Sequence, residues 1–157
     1  MIDGIKEQKD PNFYIDDIKE RFGEKILDIA HPRRSRIYIL VDKKDAPEVV
    51  KYIFYEYAGR HSISSGVDTP DGVEILYHMA LDNQRDIFIN VKTLVPREDF
   101  RIESIGKDIP AFEWIEREIH ELFGVEFVGH PNIRHLLLAD DWPEGKYPMR
   151  KDFRKDF

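Results

Sequence analysis

The spacing of apolar residues near the start of the chain predicts one helix followed by a β-hairpin. After Asp10-Pro11, apolar side chains recur at helical spacing, with Asn12 as a candidate cap and Gly23 as the stop. The apolar residues of this predicted helix are Phe13, Tyr14, Ile18 and Phe22. Residues 25–31 and 36–41 are separated by a turn-like segment, and the second of them alternates apolar and polar positions as a half-buried strand does. We therefore expect these two segments to pair as a hairpin.

The next part of the pattern predicts a second helix and three further strands. Asp45 precedes a proline and a glutamate in the order that opens a helix, and Gly59 is the expected terminator. A broad apolar stripe indicates that this helix covers a sheet, and the stripe consists of Val49, Val50, Ile53, Phe54 and Tyr57. The predicted strands are residues 61–67, 73–81 and 87–95, separated by the turn-rich segments 68–72 and 82–86 and ended by Pro96.

The order of these elements favours an α+β fold made of a single domain. Connections of hairpin length join most of the strands, so a mixed or antiparallel sheet covered by helices fits better than a parallel doubly wound sheet. Residues 96–111 mark a change from a strand pattern to a helix pattern. We expect one domain over residues 1–145 and an extended C-terminal tail over residues 146–157.

Charge and residue types narrow the class of function. The 157 residues carry a formal net charge of −7, so no general positive field attracts phosphate groups, and we expect no nucleic-acid partner. The sequence has no cysteine, which excludes disulfides, cysteine-ligated iron–sulfur clusters and cysteine nucleophiles within this chain. Residues 1–7 show no signal-peptide pattern, and no apolar run approaches the roughly 20 residues that span a bilayer. We therefore expect a cytoplasmic chain whose membrane contact is indirect.

A third helix is predicted over residues 112–123, with Gly124 as its stop. Its apolar face consists of Phe112, Ile115, Ile119 and Leu122. Glu113, Arg117 and Glu121 follow one another at intervals of four, an arrangement that favours ion pairs along an exposed helix face. The pattern therefore predicts a solvated row of charges opposite the apolar face.

The histidines in and after this helix suggest an alternative in acid–base chemistry. His120 opens a His-Glu-Leu-Phe-Gly run that lacks the second histidine of the zinc-protease helix, so we expect no metal-ligating residues. His130 and His135 stand five apart, which is no recognised ligand spacing, and a buried or turn-bracing role is expected for them. A stand-alone hydrolase or lyase that uses His130 or His120 with nearby carboxylates is the alternative function.

The order of residues between 116 and 137 carries a resemblance to a known family. This stretch resembles the signature of the 30-kDa-subunit family of respiratory NADH:quinone oxidoreductase, or complex I. The matching order is Glu116-Arg117-Glu118, two residues, Glu121-Leu122-Phe123, six residues, His130, three residues, Arg134, one residue and Leu136-Leu137. The similarity resumes at Pro148-Met149-Arg150-Lys151-Asp152-Phe153, where the family carries a proline, an apolar residue and Arg-Lys-Asp-Phe. The specific part of the resemblance lies after residue 111.

This resemblance implies a subunit with no catalytic or cofactor-binding residues of its own. Such a subunit docks on the hydrogenase-like large subunit, near the iron–sulfur small subunit, and lies peripherally on the cytoplasmic side of the membrane. Iron–sulfur clusters, and nickel–iron in some members, would then belong to the partner subunits. The family has relatives in energy-converting membrane-bound hydrogenases, and His120 is more similar to that branch than to the NADH-oxidising one.

The residue types of the signature suit an interface between subunits. The residues expected to serve it are Glu116, Arg117, Glu118, Glu121, His130, Arg134, Arg150, Lys151 and Asp152. The three arginines offer planar guanidinium groups that pair with carboxylates through two parallel hydrogen bonds. The tail repeats a basic-basic-acidic-aromatic unit over residues 150–157, which suits an extended segment lying across a partner.

Overall fold

The computed structural model describes residues 9–84 and 87–156, so the expectations for residues 1–7, 85–86 and 157 fall outside the described residues. The helices are α1 (Pro11–Phe22), α2 (Ala46–Glu56) and α3 (Glu113–Phe123), with short 3-10 turns at Gly23–Lys25 and Pro110–Phe112. The strands are β1 (Ile26–Arg33), β2 (Arg36–Val41), β3 (Arg60–Asp68), β4 (Gly72–Leu81), β5 (Ile87–Pro96), β6 (Arg101–Glu103) and β7 (Glu126–Val128). None of the helices among these residues combines the length and the apolar character that crossing a bilayer requires.

Five of the strands form one mixed sheet in the order β1-β2-β5-β4-β3, while β6 and β7 pair separately. β1 and β2 are antiparallel, with Arg33 opposite Arg36 at the turn, which confirms the predicted hairpin. β2 and β5 are parallel, with Ile37 opposite Ile89. β3, β4 and β5 are neighbours joined by connections far shorter than a parallel crossover needs, so those pairs are antiparallel. The predicted α+β class with a mixed sheet is confirmed.

The chain forms two compact units, and strands β3, β4 and β5 contribute residues to both. The first unit contains the residues up to 63 together with residues 76–93. The second unit contains residues 64–75 together with the residues from 94 onward. All the residues that carry the family resemblance therefore lie in the second unit.

The core of the first unit follows the predicted periodicities. Every second residue of β2 is buried, and α2 buries one stripe; these residues are Ile37, Ile39 and Val41 on the strand and Val49, Val50 and Ile53 on the helix. Asp17 on α1 links the two helices, because its carboxylate accepts hydrogen bonds from the hydroxyls of Tyr52, at 2.8 Å, and Tyr57. Burial of apolar area at about 25 cal/mol per Å² is the main stabilising contribution here.

The start of α1 differs from the prediction by two residues. Asp10 is the N-cap, because its side chain accepts a hydrogen bond of 2.9 Å from the backbone N–H of Asn12. Asn12 itself is therefore inside the helix, and the prediction that it caps the helix was wrong. Phe13, predicted on the apolar face, is exposed, and Ile15 takes its place in the core.

The end of α2 also differs from the prediction. The helix ends at Glu56, and Ala58 rather than Gly59 adopts a positive φ, of 50°. Gly59 serves a different purpose, because a Cβ at that position would lie 2.9 Å from Cγ2 of Ile53. The glycine permits a close approach of the chain to α2, and its N–H donates to the carbonyl oxygen of Ile53 at 3.1 Å, so it still contributes to the end of the helix.

The second unit contains a short sheet that the sequence pattern does not predict. β6 runs parallel to β7, with Ile102 opposite Phe127. Strands of three residues are too short for apolar alternation to identify them. α3 ends at Phe123, and Gly124 follows it with a φ of 84°, as the predicted stop requires.

Replacing Gly124 with alanine is expected to lower the free energy of unfolding by about 2 kcal/mol. A Cβ there would lie 2.7 Å from the ring of Tyr147, and the left-handed backbone is itself costly for alanine. Gly145→Ala is the matched control, because Gly145 also has a positive φ, of 75°, but no atom lies within 4 Å of the added Cβ. It should cost only about 1 kcal/mol. Equal losses in urea denaturation would contradict the contribution of the Tyr147 contact.

Candidate functional site

Helix α3 turns three charged side chains of the signature inward. Glu116, Arg117 and Glu121 are 1%, 7% and 3% exposed. A buried charge costs several kcal/mol unless hydrogen bonds compensate it. The fold must therefore supply donors and acceptors to each of these groups, and it does so through two loops beside the helix.

The carboxylate of Glu116 binds the loop that precedes α3. It accepts hydrogen bonds from the hydroxyl of Ser104 at 2.5 Å and from the backbone N–H groups of Ile105 at 2.6 Å and Gly106 at 3.1 Å. Burial raises the pKa of Glu116 above its ordinary value of 4.5, although the three donors act in the opposite direction. Glu116 thus attaches residues 104–106 to the helix.

The imidazole of His130 braces the turn that follows β7. Its Nε2 donates to the carbonyl oxygen of Glu113 at 2.9 Å, and its Nδ1 accepts from the N–H of Asn132 at 3.0 Å. The tautomer with its proton on Nε2 satisfies both bonds. Nε2 also lies 4.0 Å from the carboxylate of Glu116. This is the turn-bracing arrangement that the sequence predicted, and both ring nitrogens are engaged by the backbone.

The guanidinium of Arg117 binds the backbone of the loop that follows this turn. Nε donates to the carbonyl oxygen of Arg134 at 3.0 Å, and Nη2 donates to that of His135 at 2.5 Å. The parallel donors of a guanidinium suit two successive carbonyls. The predicted exposed ion pairs of Arg117 with Glu113 and Glu121 are wrong, because Arg117 is buried and its donors are directed at these carbonyls.

Glu121 binds the same loop one turn further along α3. Its carboxylate accepts hydrogen bonds from the N–H groups of Leu136, Leu137 and Leu138 at 2.9, 2.7 and 3.3 Å, and His135 Nδ1 lies 3.3 Å away. Burial alone would raise the pKa of Glu121, but the three backbone donors together with His135 outweigh it and hold that pKa below its ordinary value of 4.5. Arg117 and Glu121 together fix residues 134–138 against α3 through the main chain.

Two side chains of the signature are not used in this way. Glu118 is half-exposed on α3, and Arg134 is exposed, contributing only its backbone carbonyl. Within residues 9–84 and 87–156, neither side chain takes part in an ion pair or hydrogen bond. The structure therefore separates the signature into charges that bind the chain's own backbone and charges that remain available at the surface.

The second block of the resemblance, residues 148–153, is attached to the same unit at two points. The N–H of Met149 donates to the carbonyl oxygen of Leu122 at 3.1 Å, at the end of α3. The N–H of Lys151 donates to Asp68 at 2.9 Å, and the buried carboxylate of Asp68 also pairs with Arg97 at 2.8 Å. Both attachments use backbone groups of the tail, so the side chains of Met149 and Lys151 are not needed for them.

Arg150 and Asp152 pair with each other within the tail. Nε and Nη2 of Arg150 donate to the two carboxylate oxygens of Asp152 at 3.1 and 3.0 Å. The guanidinium of Arg150 also lies 5.3 Å from the ring centre of Phe100. Trp142 stacks on Phe153 with ring centres 6.3 Å apart. The tail thus has internal contacts that its polar composition does not predict.

The geometry gives no support to the hydrolase or lyase alternative. His130 is committed to the backbone, and Nδ1 of His120 lies 2.9 Å from the carbonyl oxygen of Val125, beside the end of α3. The nearest carboxylates, Glu116 and Glu121, are occupied by backbone N–H groups. No cluster of three metal-ligating side chains occurs in the described part of the chain. The two histidines named for this alternative and the carboxylates nearest to them therefore serve the chain's own backbone.

Two contributors to this site are invisible to sequence reasoning. Ser104 is fully buried beneath Glu116, twelve residues away, and Asp68 is buried 83 residues from Lys151. A serine just after a short strand and an aspartate at the end of a strand are both common, and neither stands in a motif. Only their contacts with residues distant in the sequence distinguish Ser104 and Asp68 from other serines and aspartates, and these contacts form only when the chain folds.

Comparison with known proteins identifies what the chain is similar to. The model of the family described as the 30-kDa subunit of respiratory-chain NADH dehydrogenase matches residues 39–156. The chain is 35% identical to a subunit of the F(420)H(2) dehydrogenase of Methanosarcina mazei over 147 residues, which are 92% of this chain and 92% of that one. It is 33% identical to Hydrogenase-4 component G of Escherichia coli, covering 86% of this chain but 25% of that protein.

The chain spans about a quarter of two of these relatives. Besides Hydrogenase-4 component G, formate hydrogenlyase subunit 5 of Escherichia coli is 30% identical over 94% of this chain, which is 26% of its own length. Among solved structures, a chain of the membrane-bound sulfane sulfur reductase, an archaeal respiratory membrane complex, has a TM-score of 0.75 at 24% identity over 91% of this chain and 85% of that chain. A trypsin-resistant fragment of Nqo5 has a TM-score of 0.64 at 17% identity over 77% of this chain and 97% of the fragment. These two likenesses establish the fold.

Proposed function

The chain belongs to the family of the 30-kDa subunit of respiratory-chain NADH dehydrogenase, and on this premise we propose that it is a non-catalytic, cofactor-free peripheral subunit of a complex I-related membrane redox complex. Its role is to dock on the hydrogenase-like large subunit, beside the iron–sulfur small subunit. Iron–sulfur clusters, and nickel–iron in a hydrogenase-type complex, belong to those partners. The subunit lies on the cytoplasmic side of the membrane without entering it.

One observation carries this proposal: the buried charges of the family signature are bound to the chain's own backbone. Glu116, Arg117 and Glu121 form hydrogen bonds with N–H and carbonyl groups of two loops. These three side chains therefore hold the loops against α3 and are not available to react with a substrate. A family signature devoted to shaping a surface is the expected property of a binding subunit.

The relatives support a large partner chain. In two Escherichia coli proteins the part similar to this chain is about a quarter of one polypeptide, at 25% and 26% of their lengths. Where two parts are joined in some proteins and separate in others, the separate parts need an interface to stay together, because they lack the effective concentration that a covalent link provides. The similarity to Hydrogenase-4 component G supports a hydrogenase-type complex, and the family of the 30-kDa subunit of respiratory-chain NADH dehydrogenase supports an NADH/quinone type.

Purification of the tagged chain from native membranes tests the proposal. We expect mild detergent extracts to yield a large chain similar to the remaining three-quarters of formate hydrogenlyase subunit 5, together with the visible absorption of iron–sulfur clusters. The same extract from an untagged strain is the control. Recovery of this chain alone, from membranes that contain the large chain, would overturn the proposed function. The division into residues 1–145 and a tail at 146–157 stays a prediction, and the same complex tests it through the accessibility of the tail to proteases.

A further inference from the structure

The segment 130–138 lies along α3 from one end of the helix to the other. His130 contacts the carbonyl of Glu113 near the helix start, Arg117 holds the carbonyls of residues 134 and 135, and Glu121 holds the N–H groups of residues 136–138. The order of these contacts is the same along the segment and along the helix. Residues 134–138 are therefore fixed through their backbone, and the side chains of Arg134 and Leu137 are left exposed.

The side chains that this arrangement leaves outside are large and apolar. Trp114 is 70% exposed, Leu137 is 64% exposed and Ile133 is 44% exposed. Trp114 stands three residues before Arg117 and shares its side of the helix, so it lies beside the start of the bound segment. These three residues, which we call the α3 surface, are exposed apolar side chains on the helix and on the segment bound along it, and exposed apolar surface of this kind marks interaction sites.

Two unpaired charges of opposite sign accompany the α3 surface. Glu118 stands four residues after Trp114 on the same side of α3, and Arg134 lies between Ile133 and His135 in the bound segment. Neither side chain has an ion-pair partner within residues 9–84 and 87–156. An apolar centre with charges beside it is the usual anatomy of a protein interface, and tryptophan and arginine are its most frequent energetic anchors.

The free-energy cost of burying charges in α3 also supports a role of this surface in binding. Replacing buried ionic groups by apolar residues is often neutral or stabilising, so stability alone does not explain three buried charges in eleven residues of helix. Two of them, Arg117 and Glu121, hold residues 134–138 in one conformation in the free subunit. A surface ordered in advance loses less conformational entropy on binding.

We propose, resting on the proposed function, that the α3 surface is where the larger chain of the complex binds. The occupant presents an apolar recess for Trp114 and Leu137, a cationic side chain for Glu118 and a carboxylate for Arg134. The larger chain is the favoured occupant because relatives of this chain carry the remaining three-quarters of their length as one polypeptide with it. A second copy of this chain is the competing occupant.

Site-directed photo-crosslinking in the intact membrane complex tests this assignment. A photoreactive phenylalanine derivative replaces Trp114 or Leu137 in the full chain, and Leu27 or Tyr55 in matched controls. The control positions are 62% and 60% exposed and lie in the first unit. We expect positions 114 and 137 to crosslink to the larger chain at least ten times more efficiently than positions 27 and 55. Mass spectrometry of the crosslinked peptides identifies the occupant.

The outcomes separate this inference from the function on which it rests. If the tag recovers the larger chain but crosslinks to it form from positions 27 or 55 and not from 114 or 137, the α3 surface is refuted and the docking function stands. Crosslinks from 114 and 137 to a second copy of this chain would also overturn the inference. If the tagged chain recovers no larger chain from membranes that contain it, the α3 surface and the docking function are both refuted. Leu137→Glu provides a second measurement, because its exposed side chain should leave folding intact while the recovered larger chain drops at least tenfold.

Discussion

Replacing Glu116 with alanine is expected to lower the free energy of unfolding by about 3–4 kcal/mol. The carboxylate is 1% exposed and accepts three hydrogen bonds from residues 104–106, so its removal leaves three buried donors without an acceptor and a cavity beside Ile105. Urea denaturation of the full chain measures the loss. Glu118→Ala is the matched control on the same helix, and because that side chain is half-exposed and unpaired in the described structure it should change stability by less than about 0.5 kcal/mol.

Glu116→Gln distinguishes the shape of this group from its charge. The amide retains an oxygen for the N–H groups of Ile105 and Gly106, so we expect a loss of only about 1 kcal/mol at neutral pH. The pKa of Glu116 is raised by burial, so the folded chain binds a proton more readily than the unfolded chain above pH 4.5. Wild type should therefore gain stability relative to Glu116→Gln as the pH falls from neutral towards 4.5. A constant difference between the two proteins across that window would show that burial does not control this carboxyl.

Replacing Glu121 with alanine is expected to release residues 136–138 from α3. Three backbone N–H groups lose a charged acceptor that is almost wholly buried, a loss of about 2–3 kcal/mol. Hydrogen exchange at the amides of Leu136, Leu137 and Leu138 should accelerate roughly 30- to 150-fold, because each 1.36 kcal/mol is a factor of ten. Glu126→Ala, at an exposed glutamate of the same unit, should leave these amides unchanged. Unchanged exchange in Glu121→Ala would mean that Arg117 alone holds the segment.

Acid should affect Glu121 in the direction opposite to Glu116. The pKa of Glu121 is lowered by the three N–H donors and by His135, so its stabilising contribution is complete above the ordinary value of 4.5 and is lost as the pH falls through the lowered folded value. The protection of the amides at 136–138 should therefore decline only below pH 4.5. In Glu121→Gln this decline should disappear, since that side chain does not titrate. A decline of equal size in the variant would assign the effect to another group.

The sequence was informative where a pattern repeats over several residues. The alternation of Ile37, Ile39 and Val41 predicts β2 correctly, and the stripe of Val49, Val50 and Ile53 predicts the buried side of α2. Such periods are set by backbone geometry, so they survive whatever the strand or helix packs against. Short elements lack this redundancy, and β6, with three residues, was missed.

The signature of the candidate site was recognisable from the sequence, but its arrangement was not. Residue order identifies Glu116, Arg117 and Glu121, and periodicity then places Arg117 and Glu121 in a solvated row of charges. The structure buries all three. Average hydrophobicity counts a charged residue as exposed, whereas a fold can bury it when backbone donors and acceptors converge on it.

The amino-acid sequence by itself determined the α+β class, the β1–β2 hairpin, the ends of α3 and the family to which the chain belongs. These follow from local geometry and from the identity and order of residues. Tertiary structure decided which charges are used inside the molecule and which remain outside, because loops fold against Glu116 and Glu121 and supply donors to their carboxylates, while none does so for Glu118 within the described residues. Those loops come from before and after the helix, so the distinction between a structural charge and an available one exists only once the chain has folded.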